Sequence, residues 1–432
     1  MLRGRFSRRQ FLVAAAGTAG LGAAGLWLVR RPVRLGLIGA GAHGAALARA
    51  NQFPSWRQSP PSRILAVCDV DRGHAYAVRG KHCPDAAVYA DYRALLERDD
   101  LEAVLIATPD HWHAAIAVAA LQAGKAVYCE KPISLTIAEG QTLVRTVRET
   151  GGLFLGGTQQ RSAWTFRTAC ELVRNGRLGK VHQVTVTLPE HPIGSSEGPF
   201  ASCPPPGDLD WETWLGQAPL VPYCPERCHG TFRRWYEYSG GTMTDWGAHH
   251  LDVVHWALGV EASGPRTIEG KGDLPQIENG FNTPTRFTVN LDYAGGVRVH
   301  VRTDPVFAHN GIRFEGGTGA LFVNRDHLIG PAVDELARHP LPSDAVRLHE
   351  TPAAREDVLA HHLAHFLACV RKGGQPIADV ASQHRSASAC HLANISLRLG
   401  RRLTWDPDKE EVIGDSEANA LLSRWQRPPY RV

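Results

Sequence analysis

Beyond its first residues the chain has no surplus of positive charge. Of its 47 lysines and arginines, seven arginines (Arg3, Arg5, Arg8, Arg9, Arg30, Arg31 and Arg34) fall within residues 1–34, where there is no acid; the rest carries 40 basic against 43 acidic residues. Phosphate backbones are held by clustered lysine and arginine, so nucleic acid is not expected as a partner. Long apolar runs are scarce too. Only residues 11–29 could span a bilayer, which excludes a polytopic membrane protein. Cysteine supplies no framework: nine residues, an odd number, are scattered from Cys68 to Cys390. Cys203, Cys224 and Cys228 share one loop-rich segment, where a single bridge could form. A Cys224/Cys228/His229 metal site has no fourth ligand at a fitting spacing, and no metal is expected. What is present is globular. With 432 residues, 43% hydrophobic and 21% charged, the chain is too long for one ordinary core, and two domains are expected.

The N-terminus reads Ser7-Arg8-Arg9-Gln10-Phe11-Leu12 followed by an Ala- and Gly-rich apolar stretch. Paired arginines before x-Phe-Leu look like a twin-arginine export signal, so residues 1–32 are expected to engage the export machinery and place the protein in the periplasm. No clean Ala-x-Ala site precedes Val33. The 19-residue run is about a bilayer thick at ~1.5 Å per residue, so an uncleaved anchor is the alternative.

Residues 33–38 form a short apolar run. Gly39-Ala40-Gly41-Ala42-His43-Gly44 follows, and then a helical segment. Strand, G-x-G-x-x-G and helix is the dinucleotide fingerprint in its proper context. Gly39 permits the turn, Gly41 lets the backbone approach a pyrophosphate, and Gly44 lets the helix pack on the strand; His43 lies within this loop. The next strand, residues 63–70, carries Asp69 near its end, 25 residues after Gly44. An acid there accepts from the ribose hydroxyls of NAD and repels a 2′-phosphate. Arg72 nearby keeps NADP open. The apolar run 103–107 reads as a central parallel strand with Thr108, Pro109 and His113 beyond its carboxyl end, where open α/β sheets bind ligands. Glu130-Lys131-Pro132 ends another strand, and a lysine beside a nicotinamide can stabilise alkoxide charge.

These motifs together resemble the Gfo/Idh/MocA oxidoreductases, named for glucose–fructose oxidoreductase and inositol dehydrogenase. The resemblance covers nearly everything after residue 32. It implies a catalytic Lys131, a cis Lys131–Pro132 peptide, and Thr108, Pro109, His113 and Glu130 along the cofactor. The fold expected is α/β: a Rossmann domain over 33–150, then an α+β substrate and oligomerisation domain over 151–432 with an open, mostly antiparallel sheet.

The second domain opens on Gln159, Gln160 and Arg161. Gln159 is assigned to the cofactor; Gln160, Arg161 and the later Tyr236 are candidate sugar contacts. Residues 189–235, rich in Pro, Trp and Cys, read as an excursion over the active site. A helix starting between Thr242 and Asp245, capped by Thr or Asp, sets Asp245, His249, Asp252 and Trp256 on one stripe at about 100° per residue. His249 can serve as a general base oriented by an acid one turn earlier. The residues alone allow a capping Asp and a half-buried His equally well; the family resemblance makes Asp245 and His249 the catalytic pair. His250 falls in the apolar arc and reads as structural. A metal site from His249, His250, Asp252 and His255 is disfavoured because the side chains diverge.

The expected function is NAD(P)-linked oxidoreduction of a sugar, polyol or glycoside hydroxyl by a homo-oligomer. A Rossmann enzyme outside the cytoplasm has no nucleotide pool, so a retained cofactor and redox-neutral turnover are expected. The alternatives are a simple sugar or inositol dehydrogenase that releases NADH, and a non-catalytic binding protein.

Overall fold

The computed structural model describes residues 31–52, 60–190, 197–336, 338–350 and 353–432. The export signal or anchor read at the N-terminus lies outside the described residues. Among the described residues no helix is long and apolar enough to cross a membrane.

Six runs dominated by Val, Ile, Leu and Ala make the first sheet: β1 (Val33–Ile38), β2 (Ser62–Cys68), β3 (Ala87–Tyr89), β4 (Ala103–Ile106), β5 (Ala126–Cys129) and β6 (Phe154–Gly156). All pair in parallel, in the order β3-β2-β1-β4-β5-β6. β4 and β5 are buried along their whole length, as parallel strands covered on both faces must be. The order reverses between β1 and β4. Connections leaving their carboxyl ends diverge there and open a crevice. β6 lies beyond the expected boundary at residue 150. It pairs with β5, so the first domain extends through Gly156.

The second sheet has nine strands: β7 (Val181–Pro189), β8 (Thr267–Gly272), β9 (Phe287–Asp292), β10 (Arg298–Asp304), β11 (Gly311–Gly316), β12 (Gly319–Val323), β13 (Leu328–Ile329), β14 (Leu403–Asp406) and β15 (Glu411–Val412). Their order is β13-β12-β11-β7-β10-β9-β8-β14-β15, antiparallel except for the β7–β10 pair. β9 shows why: Phe287, Val289 and Leu291 are buried while Thr288 between them is exposed. One face is therefore apolar and needs cover. The helices Trp164–Arg174, Thr242–Leu258 and Val380–Leu399 share a core with this sheet. That core is continuous with the first domain through Val33, Leu35 and Leu47, so the two sheets do not sit on separate cores.

The excursion has a core of its own, built from Trp211, Trp214, Tyr223, Trp235, Tyr238 and Phe281. Backbone bonds fasten it to the nucleotide domain: Arg72 N–H donates to Asp208 O (2.9 Å) and Asp210 N–H to Val70 O (3.0 Å). Trp112 Nε1 donates to Trp214 O at 3.0 Å. No bridge forms in this segment: all nine cysteines are free thiols, with Cys203 exposed and Cys224 and Cys228 buried.

Candidate active site

The turn after β1 works as its glycines require. Gly39 has φ +90°, and a Cβ there would lie 2.5 Å from the Ala107 carbonyl carbon, so both conformation and contact exclude a side chain. A Cβ on Gly44 would lie 2.0 Å from Gly39 O; this contact seats the helix Ala42–Gln52 against the turn. At Gly41 an added Cβ meets nothing within 4 Å. The loop thus leaves open space in front of a helix N-terminus, as a pyrophosphate needs. These observations fit a dinucleotide.

The space belongs to a cavity of about 620 Å³ that runs between the two domains and under the excursion. It is lined by Gly39, Gly41, His43, Asp69, Thr108, Pro109, His113, Glu130, Lys131, Gln159, Asp245 and His249. Of the expected cofactor residues only Gly44 is not in the lining, being taken up in helix packing. Asp69 accepts from Ala40 N–H (2.6 Å) and Asp71 N–H (2.8 Å), so its carboxylate shapes the glycine turn as well as facing the cavity. Burial raises its pKa against those two donors. Arg72 is exposed and does not line the cavity.

His113 bridges two connections: Nε2 lies 2.8 Å from Thr108 O and Nδ1 2.6 Å from Pro132 O. It thereby ties the loop after β4 to the loop after β5, where the Lys131–Pro132 peptide is cis. Glu130 is anchored by the Tyr128 hydroxyl (3.1 Å), with His43 Nε2 2.8 Å away. Burial works against the Glu130 carboxylate, but the charge and hydrogen bond of His43 hold it below the usual range; the Glu130 charge in turn raises the His43 pKa.

At the inner end Lys131, Asp245 and His249 converge. Lys131 Nζ donates to Asp245 Oδ1 at 2.5 Å and to Asp245 O at 3.0 Å. Arg233 Nε lies 3.4 Å from the same Oδ1. The expectation that Asp245 orients His249 needs correcting: the ion pairs of this carboxylate run to Lys131 and Arg233, and His249 Nδ1 is buried with no hydrogen-bond partner. Nor does Thr or Asp cap the helix. Its N-cap is Gly241 at φ +67°, with no side-chain bond. Burial, then the charges of Lys131 and Arg325, push the His249 pKa well below its ordinary value, which favours the neutral imidazole. Asp110, also in the lining, accepts from Ser239 Oγ at 2.6 Å, and burial raises its pKa.

Three expected sugar contacts lie elsewhere. Arg161 is fully buried: Nε and Nη2 donate to Asp252 (both 2.7 Å), and Nη1 donates to Glu261 (3.1 Å) and Ile377 O (2.9 Å). Asp252 therefore neutralises a core arginine instead of facing the site. Gln160 Oε1 faces His250 Nδ1 at 3.3 Å, and the Tyr236 hydroxyl is buried without a partner, with Arg398 over its ring. None of the three lines the cavity. The charge and amide types that suggest sugar binding here satisfy the interior. His250 is structural as expected, with Nε2 2.8 Å from Asn310 Oδ1. The later histidines 361, 362, 365, 384 and 391 are all buried.

The sequence reading missed Asp71, His74, Trp214, His229, Arg233 and Arg325, which also line the cavity. Asp71 and His74 were within reach of it, since they follow Asp69 into the next helix. The others come from the excursion and from the β12–β13 turn, which carry no periodic signal. Asp71, His74 and His229 bring their ligand atoms within 4.8 Å of one another, so His229 groups with residues of the nucleotide domain and not with Cys224 and Cys228.

Comparison with known proteins agrees with this architecture. The NAD-binding Rossmann domain of the GFO_IDH_MocA oxidoreductase family matches residues 33–157, and the family's C-terminal α/β domain matches residues 195–432. A 2,7-anhydro-N-acetylneuraminate hydratase of Mediterraneibacter gnavus is 33% identical over 35% of this chain and 38% of its own length. An inositol 2-dehydrogenase of Rhizobium meliloti is 28% identical over 53% of this chain and 56% of its own. The chain thus spans about half or less of the curated relatives it matches. Among solved structures, levoglucosan dehydrogenase in complex with NADH and levoglucosan superposes with a TM-score of 0.67 at 16% identity, covering 87% of this chain and 99% of that one. The WlbA dehydrogenase of Bordetella pertussis, in complex with NADH and UDP-GlcNAcA, gives 0.63 at 17% identity over 87% of this chain and 99% of that one. At such identities the likeness is one of fold. With both family domains matched in order and the second covering more than half of the chain, this protein belongs to the Gfo/Idh/MocA oxidoreductase family.

Proposed function

We propose that the protein is an NAD(P)-dependent oxidoreductase acting on a hydroxyl of a sugar, polyol or glycoside. The observation that carries this reading is the meeting of Lys131, Asp245 and His249 at the end of a cavity that begins at the glycine turn. A bound nicotinamide supplies a hydride acceptor. Gly39, Gly41, His43, Asp69, Thr108, Pro109, His113, Glu130 and Gln159 would hold the dinucleotide. Neutral His249 takes the substrate hydroxyl proton. Lys131, held in place by Asp245, donates to the same oxygen and stabilises the charge that develops on it.

The cofactor is retained through turnover in this reading. The excursion forms one wall of the cavity through Trp214, His229, Phe232 and Arg233 and is bonded to the nucleotide domain, which supports a slow exit. The N-terminal sequence supports export through the twin-arginine route, to a periplasmic location where no nucleotide pool replaces a lost cofactor. Turnover is then redox-neutral. One sugar is oxidised and another reduced, or a hydroxyl is oxidised transiently to acidify its neighbouring C–H, permit elimination, and be reduced again. Homo-oligomers are part of this proposal.

The test uses the exported protein, freed of loose nucleotide by gel filtration. Sugars, polyols and glycosides are added one by one while nicotinamide absorbance is followed. Stoichiometric bound nucleotide and sustained turnover without added NAD support the proposal. Empty protein that works only with added NAD and accumulates NADH refutes the retained cofactor, and the lack of both an absorbance change and a converted product with every sugar refutes the activity.

A further inference from the structure

Lysine and arginine line the cavity at three positions: Lys131, Arg233 and Arg325. Asp245 answers two of them, with contacts of 2.5 Å to Lys131 and 3.4 Å to Arg233. Glu130 is engaged by His43 at 2.8 Å, and burial pushes Asp110 toward its neutral form. Arg325 senses the charges of Asp245, Asp326 and Glu130 but forms a close ion pair with none of them. Its guanidinium carbon lies 4.6 Å over the ring of Trp246, and among the described residues no carboxylate stands within 4 Å of it. Arg325 is exposed, at the turn between β12 and β13 of the second domain. Trp246 is in turn braced edge-on by Phe307 at 5.6 Å. An arginine held over the face of a braced indole loses some of its freedom and keeps donors open to a ligand. Those donors are suited to two parallel bonds with a carboxylate or phosphate.

We propose that Arg325 and the Trp246 face form an anion subsite, and that the sugar handled here carries an acidic group, a carboxylate or a phosphate, held by Arg325 while a hydroxyl lies at Lys131 and His249. This rests on the reading of the cavity as a sugar oxidoreductase site. It goes further in naming the substrate class and a specificity-determining residue. Neutral sugars leave the guanidinium without a partner; acidic ones satisfy it.

The experiment has a binding arm and a turnover arm. In the first, quenching of tryptophan fluorescence is titrated on the nucleotide-loaded protein with glucose, glucuronate and glucose 6-phosphate. At least one acidic sugar should bind on the order of 10- to 100-fold more tightly than glucose, as expected of a charge-assisted pair. The tighter of the two identifies the acid as carboxylate or phosphate. Arg325→Gln should remove most of that preference with a much smaller effect on glucose, and Arg325→Lys should keep part of it. In the second arm, measured at a pH where His249 stays neutral in both proteins, the corresponding loss in Arg325→Gln should fall mainly on KM. Equal binding of all three sugars overturns the subsite, as does an equal effect of Arg325→Gln on acidic and neutral sugars. Arg325-dependent binding with neither a nicotinamide absorbance change nor a converted product supports the subsite while refuting the oxidoreductase reading, so the two failures are distinct.

Discussion

Arg161 offers a direct contrast between substrate binding and core neutralisation. Its side chain is 2% exposed and that of Asp252 is fully buried. Two bonds of 2.7 Å join them, and Gln383 Nε2 adds a third donor to Asp252 at 2.7 Å. Replacing Asp252 with Leu leaves a guanidinium in the interior with Glu261 and one carbonyl for partners. Removing one member of a buried pair costs about 3–5 kcal/mol. Glu261 still offsets part of the charge, which places the loss near the lower figure. At ~2–4 °C per kcal/mol for a domain of this size, Tm should fall by roughly 6–12 °C. Arg161→Met should do similar damage, while Arg161→Met combined with Asp252→Leu should recover part of the stability, since both fully buried charges are removed together and only Glu261, 28% exposed, loses its partner. The assay is thermal unfolding of the nucleotide-loaded protein, with KM for a turned-over sugar measured alongside. If Arg161→Met leaves Tm unchanged and raises KM, Arg161 belongs to the substrate site and its placement in the core is wrong.

His249→Ala should lower the rate by about 10²–10⁴-fold while bound nucleotide stays stoichiometric; near-native turnover would remove His249 as the base. Because burial and the charges of Lys131 and Arg325 lower its pKa from 6.5, the unprotonated base persists through neutral pH. The acidic limb of the kcat/KM profile should therefore lie below pH 6.5, and a limb at or above that value contradicts the assignment. Asp69 and Asp71 both line the cavity and Arg72 does not, so NAD should bind more tightly than NADP and Asp69→Ser should narrow the difference. A native preference for NADP in a nucleotide titration would reverse this reading.

Much of the nucleotide half was legible because its signals are local. The glycine turn, the acid after β2 and the Glu-Lys-Pro tripeptide after β5 each sit beside the strand that positions them. A parallel sheet then gathers strand ends at one edge whatever the loops contain. Helix periodicity likewise grouped Asp245 with His249 and turned His250 inward. What neighbours those residues was a different matter. One helical stripe carries Asp245 into the cavity and Asp252 into the core, because the helix runs from the cavity wall into the packed interface and the same face meets different partners along its length. Whether Asp245 would bind His249 or Lys131 depended on a residue 114 positions away. Arg161 and Gln160 carry the chemistry of sugar contacts, and only burial against Asp252 and His250 shows that they serve the interior. The excursion had a composition but no period, so the sequence by itself marked residues 189–235 only as an expected excursion over the site, and tertiary packing alone decided that Trp214, His229 and Arg233 face the cavity. Arg325 had no sequence signal at all. Its place over Trp246 follows from how the β12–β13 turn approaches the same helix end that meets Lys131 of the nucleotide domain through Asp245, a relation between distant segments that no local pattern encodes.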